Sequence, residues 1–296
     1  MSSQHKHLGW IPWAFVVLWS TGFIGAKLGL PYIGPFTFLA VRMALTLACF
    51  AVLMRVYAAP WPSLPVARRQ WVSGLLVHGV YLGGVFAAIK AEVPAGLTAL
   101  IVGLQPLLTA LVSHIAFAER LARRQWLGMA VGFAGTVLVV AGTRGLDFHA
   151  GYGLAWTVFA LLGITAGTLY QKRHSGGANL LAGTFHQYLA TLVFTGALAL
   201  AFEHDQPVVW SAELWVAMVW SVLALSVAAI LLLMRMIKEG EVARVVSYFY
   251  LVPGLTALEA WALFDERLSA AALAGMALAA AGVALVLRVP ARGARV

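Results

Sequence analysis

The chain has few charged residues and a single cysteine. Only 10% of its 296 residues are charged and 62% are hydrophobic, with a mean hydropathy of +0.88. A soluble domain has roughly 25% charged and 45–50% apolar residues. The lone cysteine, Cys49, lies in an apolar run and excludes an intrachain disulfide. The composition therefore excludes an ordinary soluble domain and predicts an all-α, polytopic membrane protein.

The sequence also lacks the common catalytic and nucleotide-binding motifs. It contains no His-Glu-x-x-His zinc motif, no Gly-x-Ser-x-Gly elbow and no glycine-rich phosphate loop. The net charge of +9 comes without a basic stripe of interleaved aromatics. We therefore predict that the protein is not an enzyme, needs no cofactor or metal, and does not bind nucleic acid.

Apolar runs of about 20 residues, the length that crosses a bilayer as a helix, occur ten times along the chain. They cover 10–30, 35–57, 71–89, 94–117, 124–142, 151–171, 180–202, 211–235, 242–263 and 270–288. The longest connection, 58–70, contains Pro60, Pro62 and Pro65 and predicts a stiffened loop at the membrane interface. No soluble domain is predicted.

One stretch of the sequence occurs twice, at an offset of 147 residues. Residues 106–140 and 253–287 both begin with proline and both contain Glu-Arg-Leu, at 119–121 and 266–268. This offset predicts two repeats of five spans, 1–147 and 148–296. Because five is odd, the second repeat would enter the membrane from the opposite side.

The distribution of lysine and arginine predicts the orientation. Outside the spans, one side of the membrane would hold only Lys27, Lys90, Arg144 and Arg267 of the 20 basic residues, and the other side would hold the rest together with both termini. The positive-inside rule then places both termini in the cytoplasm of an inner-membrane protein. Inverted repeats are typical of secondary transporters, in which a central cavity opens to either side in turn.

Two prolines at matching positions predict hinges in the spans that hold them. Pro106 and Pro253 fall near the middle of spans four and nine, where each leaves the carbonyl four residues earlier without its donor. Such paired kinks indicate a midplane site, although simple packing kinks remain the alternative.

Polar and aromatic side chains within the spans are the candidates for the wall of this cavity. They are Trp19, His78, Tyr81, Gln105 and Tyr248. His78 could bind substrate, carry a proton or bond to a neighbouring helix, and Gln105 could hold helices together as well as contact a ligand. His186 and Gln187 in span seven are ambiguous in the same way.

Arg42 and Glu259 are charged residues that fall inside apolar spans. An unpaired charge at that depth is costly, so we predict that both face the interior and form a charged pair near the outer surface, either as a gate or as a structural contact. Glu259 and His78 are also the candidate proton carriers, with uncoupled exchange as the alternative. Glu119 and Glu266 are predicted to accept backbone hydrogen bonds where spans five and ten begin.

The motifs together resemble the drug/metabolite transporter superfamily in its ten-helix EamA-type branch. The likeness rests on Trp19 to Phe23 with Lys27, on Ala88-Ile89-Lys90 before Pro106, and on the two Glu-Arg-Leu motifs. It implies a central cavity bounded by spans one, three, four, six, eight and nine, with spans five and ten peripheral. A cavity rich in Trp and Tyr resembles that of the YddG-like exporters of aromatic amino acids.

The sequence therefore predicts an exporter of neutral, mainly aromatic or hydrophobic amino acids, with small molecules and membrane lipids as partners. Efflux of hydrophobic cations is the alternative within the family, and a membrane scaffold or lipid-handling protein is the alternative outside it. The oligomeric state is not predicted, because a glycine stripe would permit close helix contact within one chain or between two. The stripe comprises Gly128, Gly132, Gly135, Gly275 and Gly282.

Overall fold

A computed structural model describes residues 10–117, 122–142, 148–174, 179–229, 231–232, 252–266 and 269–287. This part of the chain is almost wholly helical and contains no strand. The helices are α1 (Ile11–Gly29), α2 (Pro35–Val56), α3 (Leu64–Gly74), π1 (Leu75–Val80), α4 (Tyr81–Lys90), α5 (Ala95–Val102), α6 (Gln105–Phe117), α7 (Arg123–Gly142), α8 (Phe148–His174), α9 (Leu180–Phe202), α10 (Ala212–Trp220), π2 (Ser221–Ala228), α11 (Val252–Phe264) and α12 (Ala270–Leu287).

Within the described residues, five helical stretches are long and apolar enough to cross a membrane. They are Pro35–Val56, Leu64–Lys90, Ala95–Val112, Gly151–Gln171 and Leu180–Phe202, with shorter apolar helices at Trp13–Gly29, Ala212–Ala228, Val252–Phe264 and Ala270–Leu285. The predicted all-helical fold is therefore confirmed for the described residues, and its long apolar helices are consistent with a membrane protein. The number of crossings and the inverted arrangement of the repeats stay predictions.

The proline-rich loop is shorter than the sequence predicted. Helix α3 already begins at Leu64, so that the non-helical connection after α2 covers 57–63 and not 58–70. Pro65 lies in the first turn of α3, where a proline is tolerated because the first N–H groups of a helix have no partner within it. The third apolar run is thus carried by one continuous helical stretch of 27 residues.

A break separates α5 from α6 directly before Pro106. The Gly103 N–H donates to the Ala99 carbonyl at 2.8 Å, and the Leu104 N–H donates to the Ile101 carbonyl at 3.1 Å, which tightens the last turn of α5. Pro106 has no N–H to continue the ladder. Pro253 is the second residue of α11, and the residues before it lie outside the described part of the chain.

Two π-helical segments occur at positions that the 147-residue offset relates. π1 spans Leu75–Val80, and its counterpart positions, 222–227, fall inside π2, which spans Ser221–Ala228. A π turn replaces the usual ladder by bonds to the fifth residue back and is frequent at functional sites. Each sequence repeat therefore carries the same helical irregularity in its third apolar run.

Helices α7 and α12 pack backbone against backbone through the glycine stripe. A Cβ at Gly282 would lie 2.3 Å from the Gly132 nitrogen, and one at Gly135 would lie 2.6 Å from the Gly275 carbonyl oxygen. Only glycine permits so close an approach. The sequence left open whether the glycine stripe joins helices within one chain or between two chains. The structure shows a contact within one chain.

Candidate functional site

A cavity of about 540 Å³ lies between the helices. This volume is within the range of roughly 300–1,000 Å³ that is typical of small-molecule sites. Its wall includes eight of the candidate residues named from the sequence, which are Trp19, Arg42, His78, Tyr81, Gln105, Pro106, Gln187 and Pro253. Tyr248 lies outside the described residues, and Glu259 is not among the lining residues. The helices therefore bring most of the candidate side chains to one place.

Aromatic rings form part of the apolar wall, beside aliphatic side chains. The Trp19 ring packs at 5.5 Å from the ring of Phe15 on the same helix, centroid to centroid, and Tyr81 is buried. The His78 ring lies 4.8 Å from the ring of Tyr188, which the sequence analysis did not single out. Flat rings of this kind offer stacking surfaces to an apolar or aromatic ligand.

Gln105 holds two helices together and also lies on the cavity wall. Its Nε2 donates to the Thr168 hydroxyl at 3.0 Å, and that hydroxyl donates to the Ile164 carbonyl at 2.7 Å. The bond joins α6 to α8. Both of the roles considered for Gln105 from the sequence are thus compatible with its position.

A pair of glutamine side chains also lines the cavity, between α3 and α9. The Gln187 Nε2 donates to the Gln70 Oε1 at 2.7 Å, and the Gln70 side chain is buried. Gln70 was missed because the sequence placed it in a loop. His186 is not among the lining residues and instead accepts from the Trp71 Nε1 at 3.2 Å. Helical periodicity would have separated Gln187 from His186, since neighbouring residues point in different directions.

Arg42 is the charged side chain among the described lining residues. It is 6% exposed, and its Nε and Nη2 donate to the single hydroxyl oxygen of Ser226 at 3.2 and 3.1 Å. The bonds join α2 to π2. No ion pair links Arg42 to a carboxylate within the part of the chain that the structure describes.

Glu259 has a different partner from the one predicted. Its Oε1 accepts from the Ser20 hydroxyl at 2.8 Å, which joins α11 to α1, and its Oε2 has no hydrogen-bond partner among the described residues. The predicted contact between Arg42 and Glu259 is therefore not formed in this structure. Arg42 and Glu259 each form a hydrogen bond with a serine of another helix instead.

Glu266 joins three helices at one end of the bundle. Its carboxylate pairs with Lys27 at the end of α1 and accepts the N–H of Ala95, at 3.2 Å from Oε2, where α5 begins. At the start of α12 the described cap is not the predicted Glu266 but Ser269, whose hydroxyl accepts from the Ala272 N–H at 3.1 Å. The carboxylate caps a helix start of the other repeat. Glu119 lies outside the described residues.

Two further contacts close the same end of the bundle. Glu203, which is 6% exposed, accepts the N–H groups of Phe36 and Thr37 at 3.0 and 2.7 Å, where α2 begins. Lys90 donates to the Leu30 carbonyl at 2.6 Å. We call the set of Lys27, Lys90, Glu203 and Glu266 the closed end. The lining of the cavity runs away from it, towards the Gln171, Asn179 and Gln70 side chains at the opposite ends of their helices.

Comparisons with known proteins agree with this architecture. Two parts of the chain, residues 9–141 and 151–288, each match the EamA-like transporter family. The uncharacterized inner membrane transporter YedA of Escherichia coli (strain K12) is 26% identical, over 86% of this chain and 82% of that protein. A probable amino-acid metabolite efflux pump of Salmonella typhimurium is 25% identical, over 56% of this chain and 53% of the pump. A solved crystal structure, 22% identical, shares the fold with a TM-score of 0.65 over 93% of this chain and 94% of its own.

Proposed function

Because the chain belongs to the EamA-like transporter family, we propose that it is a secondary transporter that exports neutral, mainly aromatic or hydrophobic, amino acids across the inner membrane by alternating access. The observation that carries this proposal is the cavity, which combines aromatic rings and amides in its wall and lies between helices of both repeats. A cavity of this size and polarity suits one small amphipathic molecule.

The named relatives support the substrate class. The matching protein of Salmonella typhimurium is described as a probable amino-acid metabolite efflux pump. Amino acids of neutral side chain need partners for an ammonium, a carboxylate and an apolar group. The lining supplies amide oxygens at Gln105 and Gln187 and a stacking surface at Trp19.

The direction of opening supports an export cycle. The sequence predicts that Lys27 and Lys90 lie on the outer side, and both belong to the closed end. The cavity runs towards the side that is predicted to be cytoplasmic, where the α8 and α9 side chains Gln171 and Asn179 lie. With that orientation, this conformation would load substrate from the cytoplasm. The π segments at equivalent positions of the two repeats support an exchange between two such states.

No specific observation favours either alternative, the efflux of hydrophobic cations or a membrane scaffold. Aromatic rings alone can hold a hydrophobic cation, but the described lining contains no acidic residue and includes the positive charge of Arg42, which would repel a cation. A scaffold without a transport cycle would need neither a cavity nor the Lys27–Glu266 ion pair and the capped starts of α2 and α5 at one end of the bundle.

Counterflow in proteoliposomes tests the proposal. Vesicles that contain the purified protein are preloaded with unlabelled phenylalanine and exposed to labelled phenylalanine, tryptophan, threonine or tetraphenylphosphonium. We expect uptake of the two aromatic amino acids above that of protein-free vesicles, with weaker uptake of threonine. Uptake of tetraphenylphosphonium alone would establish cation efflux, and silence for every label would remove the amino-acid assignment.

A further inference from the structure

We propose that Arg42 is the residue that binds the substrate carboxylate, so that the cavity selects molecules with a free carboxylate and rejects their esters and amines. This inference rests on the proposed transport function and adds the charge specificity of the same site. It differs from the role that the sequence suggested for Arg42, which was a pair with Glu259.

The first argument is the cost of the buried charge. A guanidinium is protonated at every physiological pH, and burying it without a counter-ion is unfavourable. Arg42 is 6% exposed and lies on the wall of the cavity. In membrane proteins such a residue marks a substrate or ion pathway, and its neighbours reveal its partner.

The second argument is that the protein satisfies this guanidinium only in part. A guanidinium offers five N–H donors in a planar fork. The hydrogen bonds of Arg42 to described residues come from Nε and Nη2 and end on one neutral oxygen, the Ser226 hydroxyl. A hydroxyl supplies no negative charge. The planar fork matches a carboxylate, whose two oxygens can accept two parallel bonds.

The third argument comes from the neighbouring ionisable groups. The other ionisable side chains in the described lining are His78 of π1, Tyr81 of α4 and Tyr188 of α9. None of them is a carboxylate, and the embedded carboxylate Glu259 bonds to Ser20 on α1 instead. In the described wall, the positive charge therefore has no protein anion to compete with a substrate.

The fourth argument is the asymmetry between the repeats. The position that the 147-residue offset relates to Arg42 is Leu189, a partly buried apolar residue of α9. The second repeat therefore supplies no equivalent arginine. Among the described lining residues, Arg42 is therefore a single anion-binding point, which suits a molecule with one carboxylate.

The test compares four compounds that share the phenyl group and differ in their carboxylate and amine, in the wild-type protein. Phenylalanine, phenylalanine methyl ester, phenethylamine and 3-phenylpropionate are compared as stabilisers of the purified protein against heat and as competitors of phenylalanine counterflow. We expect phenylalanine and 3-phenylpropionate to stabilise the protein and to compete. The ester and the amine should bind at least about tenfold more weakly, because they leave the buried charge of Arg42 without a partner.

Variants then assign the effect to the residue. Arg42→Gln should lose the preference for the acid over the ester, and Arg42→Lys should keep part of it because the charge remains. The matched control is Arg55→Gln, an exposed arginine on the same helix, which should retain the wild-type preference. Because the analogue series needs no variant, the proposal remains testable if Arg42→Gln does not fold.

The outcomes separate the two proposals. Equal competition by the ester and the acid would overturn the role of Arg42 and leave amino-acid transport standing. Stabilisation by both carboxylates without any counterflow would support Arg42 and remove the transport assignment. Retention of the acid preference in a folded Arg42→Gln variant would also overturn the inference.

Discussion

Trp19 and Trp13 lie on the same helix but in different surroundings, and this difference makes them a matched pair for experiment. Trp19 lines the cavity, whereas Trp13 is 49% exposed and is not in the lining. Contacts between aromatic rings are worth about 0.5–1.5 kcal/mol beyond their buried area. We expect Trp19→Ala to weaken phenylalanine binding by about threefold to tenfold.

The measurement is the apparent affinity for phenylalanine in counterflow, taken at equal amounts of folded protein. Trp13→Ala should stay within about twofold of wild type, because the Trp13 ring is half exposed and lines a second pocket beside α11 and α12, not the proposed substrate cavity. An equal loss in both variants would contradict a stacking role for Trp19 and would indicate a general effect on α1.

At this scale the sequence predicted which residues are embedded but not what they bond to. The pattern of apolar residues along the sequence shows that Arg42 and Glu259 lie in apolar runs. The cost of burying a charge predicts that both side chains face the interior of the protein. Their partners Ser226 and Ser20 come from helices distant in the chain. Serine is common in membrane helices, and no periodicity indicates which serine meets which charge. Helix packing decides the pairing.

The α2 helix depends on a carboxylate from the other repeat. Pro35 has no N–H, so the Phe36 and Thr37 N–H groups are the first donors of the helix, and Glu203 accepts both. A Cβ at Gly34 would lie 2.3 Å from the Glu203 Oε2, which shows how closely the chain approaches this carboxylate. Removing the Glu203 carboxylate leaves these partly buried N–H donors unpaired.

We therefore expect Glu203→Ala to destabilise the protein by roughly 1–3 kcal/mol, the cost of unsatisfied buried polar groups. The measurement is thermal unfolding in detergent. Asp205→Ala is the control, because the Asp205 side chain is 89% exposed and lies only two residues further along the chain. A variant of Glu203 as stable as the control would show that water replaces the cap without cost.

The contact of α7 with α12 makes a second prediction about helices. A methyl group at Gly282 would meet the Gly132 nitrogen at 2.3 Å, so the two backbones would have to separate. Overpacking of this kind costs roughly 1–3 kcal/mol. We expect Gly282→Ala to lower the unfolding temperature, whereas Gly196→Ala, in the open surroundings of α9, should not. Equal stability of the two variants would show that the contact loosens in solution.

Helix positions were predictable from apolar length, but helix starts were not. The third apolar run begins near residue 71, yet α3 begins at Leu64, because a first-turn proline and polar residues are compatible with a helix outside the apolar layer. The break before Pro106 follows from the chemistry of proline. The π1 and π2 segments have no sequence signal that we can identify, and only the structure reveals them.

For the whole molecule, the sequence predicts the duplication and the sidedness of charge, whereas which end is closed depends on contacts between the repeats. Lys27 and Glu266 belong to different repeats and pair at the closed end. Glu203 of the second repeat caps α2 of the first. These contacts would have to separate for the cavity to open on that side, so fixing one of them should stop a transport cycle.

Cross-linking the closed end tests this directly. In a Cys49→Ser background, Lys27→Cys together with Glu266→Cys places two thiols where the ion pair lies. A short bifunctional thiol reagent should abolish counterflow, because the closed end cannot separate, while thermal stabilisation by phenylalanine persists through the opposite end. The single-cysteine variants treated with the same reagent should remain active. If the cross-linked double variant still transports at the rate of the untreated protein, this end of the bundle does not open during transport, and alternating access is wrong for this chain.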